Sequence, residues 1–203
     1  MSESTDELRI KNAEFLFGAP TRADIRGQSL PEIAIIGRSN VGKSTFVNRI
    51  CGRRVARVSG TPGCTQELNF YHVNGVVGDE SFDVNLVDMP GYGFARLSKE
   101  DREEISRRTV DYIRNRSQLK VVILLNDCRR EPEGDEVAIQ RLCVDNGRHC
   151  VVVATKVDKE KRSQHERLLK DVARGLGLER SDILATGEGI SPAPIWGRVI
   201  SLL

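Results

Sequence analysis

The chain has 203 residues, a formal net charge of +2 and 30% charged residues. That length supports one sizeable core without a disulfide or metal staple, and so even a charge balance excludes recognition of nucleic acid by bulk charge alone. The five cysteines (Cys51, Cys64, Cys128, Cys143 and Cys150) are odd in number and lack C-x-x-C spacing, so they read as reduced thiols of a cytoplasmic protein, while no apolar run approaches the ~20 residues of a membrane span.

Residues Met1 to Glu7 are polar and acidic, unlike a signal or transit peptide. Disorder is expected over residues 1–12, and a single domain over residues 13–203. The first buried strand is predicted at Glu32 to Ile36, directly after Pro31. Glu67 to Val73 and Ser81 to Val87 form a predicted hairpin, with turn residues at Asn74-Gly75 and Gly78-Asp79. Leu119 to Leu125, Cys150 to Ala154 and the weaker Asp182 to Ala185 complete six strands. Between them, helical patterns cover Lys43–Cys51, Lys99–Arg116, Gly134–Asn146, Arg162–Leu176 and Ala193–Leu202. Ser98 and Asp101 have the spacing of a capping box. In the helix that follows, Ile105, Thr109, Tyr112 and Ile113 share one face. Near-continuous apolar strands alternating with helices predict an α/β fold: a mostly parallel six-stranded sheet with helices on both faces.

Between the first strand and first helix stand Gly37, Arg38, Ser39, Asn40, Val41, Gly42, Lys43 and Ser44, which fit G-x-x-x-x-G-K-S. Glycine lets a backbone wrap closely around a polyphosphate. The loop N–H groups and the positive end of the following helix then face the anion. Lys43 would reach the β- and γ-phosphates and Ser44 would offer its hydroxyl to Mg²⁺. Asp88, Met89, Pro90 and Gly91 follow the third strand. A carboxylate there can hold Mg²⁺ through a water, since that ion retains several waters and takes few carboxylates. Gly91 would let its own N–H approach a γ-phosphate.

Thr155, Lys156, Val157 and Asp158 follow the fifth strand and fit [N/T]-K-x-D. Guanine presents two adjacent donors, and one carboxylate accepts both. Adenine would leave that charge unpaired, which is heavily penalised. Lys156 can lay its aliphatic stem over the base, and Thr155 can bond nearby backbone or the phosphate loop. Arg53 to Gln66 is rich in Gly, Thr and Pro, as suits a loop closing over Mg²⁺ and the γ-phosphate. Thr65 is the candidate metal-coordinating hydroxyl there, with Thr61 as the alternative.

These motifs together resemble the EngB (YihA/YsxC) family of bacterial GTPases, within the Era-like group. The resemblance rests on Gly37–Ser44, Thr61–Gln66, Asp88–Gly93 and Thr155–Asp158, with Asp127 and Arg129 after the fourth strand. It covers nearly the whole chain from about Ala13. It implies a G domain that binds GTP or GDP with Mg²⁺ and hydrolyses GTP slowly. It further implies a role in large ribosomal subunit assembly, through rRNA or ribosomal proteins, with a link to cell division and septation. Further implied nucleotide contacts are Cys64, Thr65, Gln66, Glu67 and Leu68, the Met89-Pro90 pair, Val157, and a last base contact at Ala185, Thr186 and Gly187. That last segment departs from the usual Ser-Ser or Ser-Ala. Era's RNA-binding domain and EngA's second G domain have no counterpart here, so a single-domain monomer in the cytoplasm is expected, with no membrane contact.

Many small GTPases place a water-orienting Gln after the glycine of D-x-x-G, where this chain has Tyr92. Slow intrinsic turnover follows. In related GTPases an Asn at the position of Asn40 helps hold a catalytic K⁺, and K⁺ stimulation is expected here; a loop residue bonding its own backbone is the alternative. Lys43, Thr65, Gly91 and Asn40 thus make up the expected catalytic group, with Ser44, Thr65 and Asp88 on the metal. Arg53, Arg54 and Arg57, the arginines 102, 107, 108, 114 and 116 of the second helix, and Arg129-Arg130 could form an RNA-binding patch. A solvated face laced with Glu103, Glu104 and Asp111 is the plainer reading. Two function classes remain: a hydrolysing switch for ribosome assembly, and a nucleotide-gated interaction module in which binding alone matters. An ATP-using enzyme is disfavoured by Asp158.

Overall fold

The computed structural model describes residues 7–25, 27, 29–57, 67–93 and 99–203, with the side chain of Asp101 excepted. Seven strands form one sheet: β1 (Leu8–Ala19), β2 (Glu32–Gly37), β3 (Leu68–Val77), β4 (Glu80–Asp88), β5 (Leu119–Asp127), β6 (His149–Thr155) and β7 (Ile183–Ala185). Their order is β1-β3-β4-β2-β5-β6-β7. β1, β3 and β4 pair antiparallel, and everything from β4 to β7 pairs parallel. The helices are α1 (Lys43–Ile50), α2 (Lys99–Asn115), α3 (Gly134–Asp145), α4 (Arg162–Leu176) and α5 (Ala193–Ile200).

Two expectations are corrected. Among the described residues the sheet has seven strands, not six, and the expected disordered tail through residue 12 is ordered from Leu8 onward as the edge strand β1. The reason is local. The register shifts between Ile10 and Asn12 and again between Phe15 and Phe17. Each irregularity resets which face the side chains reach, so period-two alternation never accumulates. Residues 1–6, the capping residue Ser98 and the loop positions Thr61, Cys64, Thr65 and Gln66 lie outside the described residues.

The parallel strands read as apolar runs because they are covered twice. Ile33 and Ile35 of β2 face one core layer with Phe46, Val47 and Ile50 of α1 and Trp196 and Val199 of α5. Ala34 and Ile36, between them in sequence, face a second layer with Tyr112 and Ile113 of α2 and Cys143 of α3. On the same face as this second layer, a further cluster sets Val152 and Ala154 of β6 against Leu169, Val172 and Ala173 of α4. Trp196 joins α5 to α1 by donating its indole N–H to Ile50 O at 2.9 Å, and it stacks on Phe82 with centroids 4.3 Å apart. Buried Glu32, at the start of β2, accepts hydrogen bonds from Tyr112 at 2.5 Å and Arg116 Nε at 2.8 Å. This arrangement brings Gly37, Asp88, Asp127, Thr155 and Ala185, the carboxyl ends of five strands, to one edge of the sheet, where open α/β folds bind ligands.

Candidate nucleotide-binding site

The loop from Gly37 to Gly42 turns β2 into α1 through two left-handed residues, Asn40 at φ 64° and Gly42 at φ 104°. Asparagine tolerates the first of these and glycine accommodates the second. Gly37 is required for a different reason. A Cβ there would stand 2.9 Å from both Leu125 O and Val41 Cγ1. Lys43 folds back into the loop, its Nζ 3.3 Å from Gly37 O and 3.5 Å from Arg38 O. Burial lowers its pKa, against the opposing pull of Asp88.

Asp88 ends β4 and is 1% exposed. Its Oδ1 has no hydrogen-bond partner among the described residues. Burial pushes its pKa up to about 6, and the Lys43 ammonium acts in the opposite direction. A buried carboxylate with an orphaned oxygen is costly unless something fills the place of a partner. The donor set here, one carboxylate with the hydroxyl of Ser44 beside Lys43 at the start of α1, fits Mg²⁺, which takes few protein ligands and keeps its waters. Among the described residues no cluster of three or more His, Cys, Asp or Glu could hold a metal by itself.

The segment after Asp88 runs against the phosphate loop. Met89 N donates to Ile35 O at 3.1 Å, and Ser39 N donates to Tyr92 O at 2.8 Å. Between these bonds lies Gly91, where a Cβ would meet Lys43 Nζ at 2.6 Å and the Ser39 Cα and N at 3.1 and 3.2 Å. The lysine could shift, whereas the backbone of Ser39 could not. Gly91 is therefore fixed by close approach rather than by its own backbone angles.

The Thr155–Asp158 turn locks onto the same loop from the other side. Thr155 Oγ1 donates to Val41 O at 2.8 Å and lies 3.3 Å from Asn126 O. Lys156, at φ 60°, donates to Asn40 O at 2.7 Å and lies 2.9 Å from Asp127 Oδ2. Asp127 is also gripped by Arg129 through Nε at 2.8 Å and Nη2 at 2.7 Å. Burial would raise the Asp127 pKa, but Arg129 and Lys156 prevail and hold it well below the usual carboxylate range. Val157 is buried beneath the turn. Asp158 is likewise held down: burial opposes ionisation, and Lys159 with the Glu188 N–H outweighs it.

After β7 the chain returns to this turn. Thr186 is buried and its N–H donates to Ala154 O at 2.9 Å. A Cβ on Gly187 would lie 2.5 Å from Asp158 Oδ1. Arg49 of α1 donates to Gly187 O. The structure thus brings Ala185–Gly187 against Asp158, and Gly37–Ser44 against both Asp88–Gly91 and Thr155–Asp158.

Glu133 and Glu136 of the α3 start were missed in the sequence. Arg38 Nη1 lies 2.6 Å from Glu133 Oε2, and Tyr92 Oη donates to Glu136 Oε1 at 2.9 Å. Their i, i+3 spacing at a helix start was the available signal. The basic set divides: Arg108, Arg116 and Arg129 are paired with Glu104, Glu32 and Asp127. Arg53, Arg54 and Arg57 after α1, and Arg102, Arg107 and Arg114 on α2, are exposed. Among the described residues no helix is long and apolar enough to cross a membrane.

Residues 32–156 match the family described as 50S ribosome-binding GTPase. The chain is 39% identical over 202 residues to the probable GTP-binding protein EngB of Exiguobacterium sp. strain AT1b, covering 97% of this chain and 98% of that protein. It is 40% identical over 174 residues to the probable GTP-binding protein EngB of Clostridium perfringens, covering 85% of each. A crystal structure of a probable GTP-binding protein EngB superposes with a TM-score of 0.64 at 24% identity, covering 84% of this chain and 97% of that one.

Proposed function

Because the chain belongs to the EngB family of GTP-binding proteins and is a GTPase, we propose that it is a Mg²⁺-dependent switch in assembly of the large ribosomal subunit, working as a cytoplasmic monomer and linked to cell division. The match of residues 32–156 to the ribosome-binding GTPase family carries this reading. In it, Lys43 leaves the carbonyls of Gly37 and Arg38 for the β- and γ-phosphates. Gly91 N–H donates to the γ-phosphate. Asp158 accepts the two guanine donors, Lys156 covers the base, and Thr186 and Gly187 flank it. Ser44, Asp88 through a water, and Thr65 would hold Mg²⁺, which neutralises charge on the phosphate oxygens.

The hydroxyl of Tyr92 is committed to Glu136, so the residue after Gly91 does not orient water and turnover is slow. This same contact favours the second reading, a nucleotide-gated interaction module in which binding outweighs hydrolysis. A variant that binds GTP without turning it over separates the two. Full function in cells would favour the module, and arrested subunit assembly the switch. Asn40 stands exposed on a left-handed backbone, and in this reading it helps hold K⁺. Hydrolysis should be several-fold faster in KCl than in NaCl at equal ionic strength, and equal rates would remove K⁺ from the mechanism.

Sedimentation with purified large subunits tests the ribosomal role. The chain should travel with them when loaded with a non-hydrolysable GTP analogue and separate when loaded with GDP. Arg53, Arg54 and Arg57 changed together to Ala should weaken the association and flatten its salt dependence, the slope falling by about 1 or less for each phosphate no longer neutralised. Association indifferent to nucleotide would overturn the switch.

A further inference from the structure

Tyr92 is held from two directions. Its carbonyl accepts Ser39 N–H of the phosphate loop at 2.8 Å. Its ring packs against the core layer under α2 and α3, and its hydroxyl donates to Glu136 Oε1 at 2.9 Å. Glu136 is 1% exposed and cannot drift, because its other oxygen accepts Glu133 N–H at 2.8 Å. Glu133 in turn lies 2.6 Å from Arg38 of the phosphate loop. The first turn of α3 therefore grips both sides of the junction at which Gly91 touches Ser39 and Lys43. An N–H aimed at a terminal phosphate is effective only if its direction is fixed before the ligand arrives. Gly91 has no side chain to fix it, and the next residue supplies the anchor.

We propose that Tyr92, anchored by Glu136, is a positioning residue that aims Gly91 N–H at the terminal phosphate, so the first turn of α3 sets the preference for nucleoside triphosphate over diphosphate. The inference rests on the reading of Gly91 as the γ-phosphate donor. Tyr92→Phe keeps the buried ring and removes only the hydroxyl. Glu136→Gln retains an acceptor of similar shape but loses the charge. A diphosphate lacks the group that Gly91 addresses, so a purely structural effect would move both affinities together.

Affinities for GDP and for a non-hydrolysable GTP analogue are compared across wild type, Tyr92→Phe, Glu136→Gln and Gly91→Ala, all with Mg²⁺. Tyr92→Phe should weaken the analogue about tenfold, the worth of one hydrogen bond to a charged acceptor, and leave GDP within about twofold. Glu136→Gln should shift the same ratio in the same direction by less. Gly91→Ala, which crowds the Ser39 backbone, should damage analogue binding whatever the part of Tyr92. Loss of analogue affinity in Gly91→Ala with an unchanged ratio in Tyr92→Phe and Glu136→Gln would overturn the inference alone. An analogue affinity untouched by Gly91→Ala would remove the reading beneath it. Equal losses of GDP and analogue in both anchor variants would mark the contact as structural packing.

Discussion

Asp158 is the residue on which base specificity rests in the proposed reading. Its carboxylate is kept ionised by Lys159 and the Glu188 N–H despite partial burial, and Gly187 leaves it uncrowded at a distance no Cβ could occupy. Two parallel donors on guanine would satisfy it, whereas adenine would strand the charge. Asp158→Ala should therefore lower guanine nucleotide affinity by roughly 2–3 kcal/mol, about 30- to 150-fold, and bring GTP and ATP affinities close together. Competition between labelled GDP and unlabelled ADP or ATP reads this out, and selectivity surviving the change would dismiss Thr155–Asp158 as the base reader. The place of this carboxylate, in the turn after a buried strand, was legible in the sequence because T-K-x-D follows an apolar run. The clamp around its neighbour was not. Lys156 is aimed by Asp127 and Arg129, residues 29 and 27 positions earlier in the chain, and no local pattern announces a contact made across adjacent strands.

At the level of elements, legibility followed how continuous each hydrophobic signal is. α4 was expected at Arg162–Leu176 and stands there, ended by Gly177 at φ 65°. β2, β5 and β6 were readable because both faces are buried over most of their length, so the apolar run is near-continuous, with exposed Lys120 the one polar residue inside the predicted β5 run. They were each expected slightly short, since their last residues (Gly37, Asp127 and Thr155) belong as much to the site as to the sheet. β3 runs on through Asn74 and Gly75, which resemble a turn. Gly75 is there because β1 passes close by: a Cβ would sit 2.5 Å from Arg9 O. The same β1 escaped notice through its two register shifts and its charged Arg9, Lys11 and Glu14. A glycine read as a turn and the first residues of a strand read as a tail were thus one omission, the edge pairing of β1 with β3.

Across the whole molecule, the sheet's carboxyl edge holds groups that the chain's own atoms leave poorly satisfied. Lys43 is buried against carbonyls with its pKa lowered, and Asp88 is buried with an orphaned oxygen and its pKa raised to about 6. Such groups cost stability unless a ligand supplies partners. A polyphosphate would supply them for Lys43 and a hydrated Mg²⁺ for Asp88, so binding and folding are linked through this edge. At a hundredfold excess over its Kd, GDP with Mg²⁺ should stabilise the chain by about 2.7 kcal/mol, a rise in Tm of roughly 5–10 °C for a domain of this size. Chelating Mg²⁺ at the same GDP concentration should remove a large part of that rise, because the Asp88 oxygen is orphaned again and the phosphate charge is no longer neutralised. ADP should give almost none of it. Thermal melts with GDP, with GDP and a chelator, and with ADP separate the contributions. A GDP effect indifferent to the chelator would take Asp88 out of the metal site. An ADP effect equal to that of GDP would mean that the phosphate loop alone captures the ligand and the Asp158 turn reads no base.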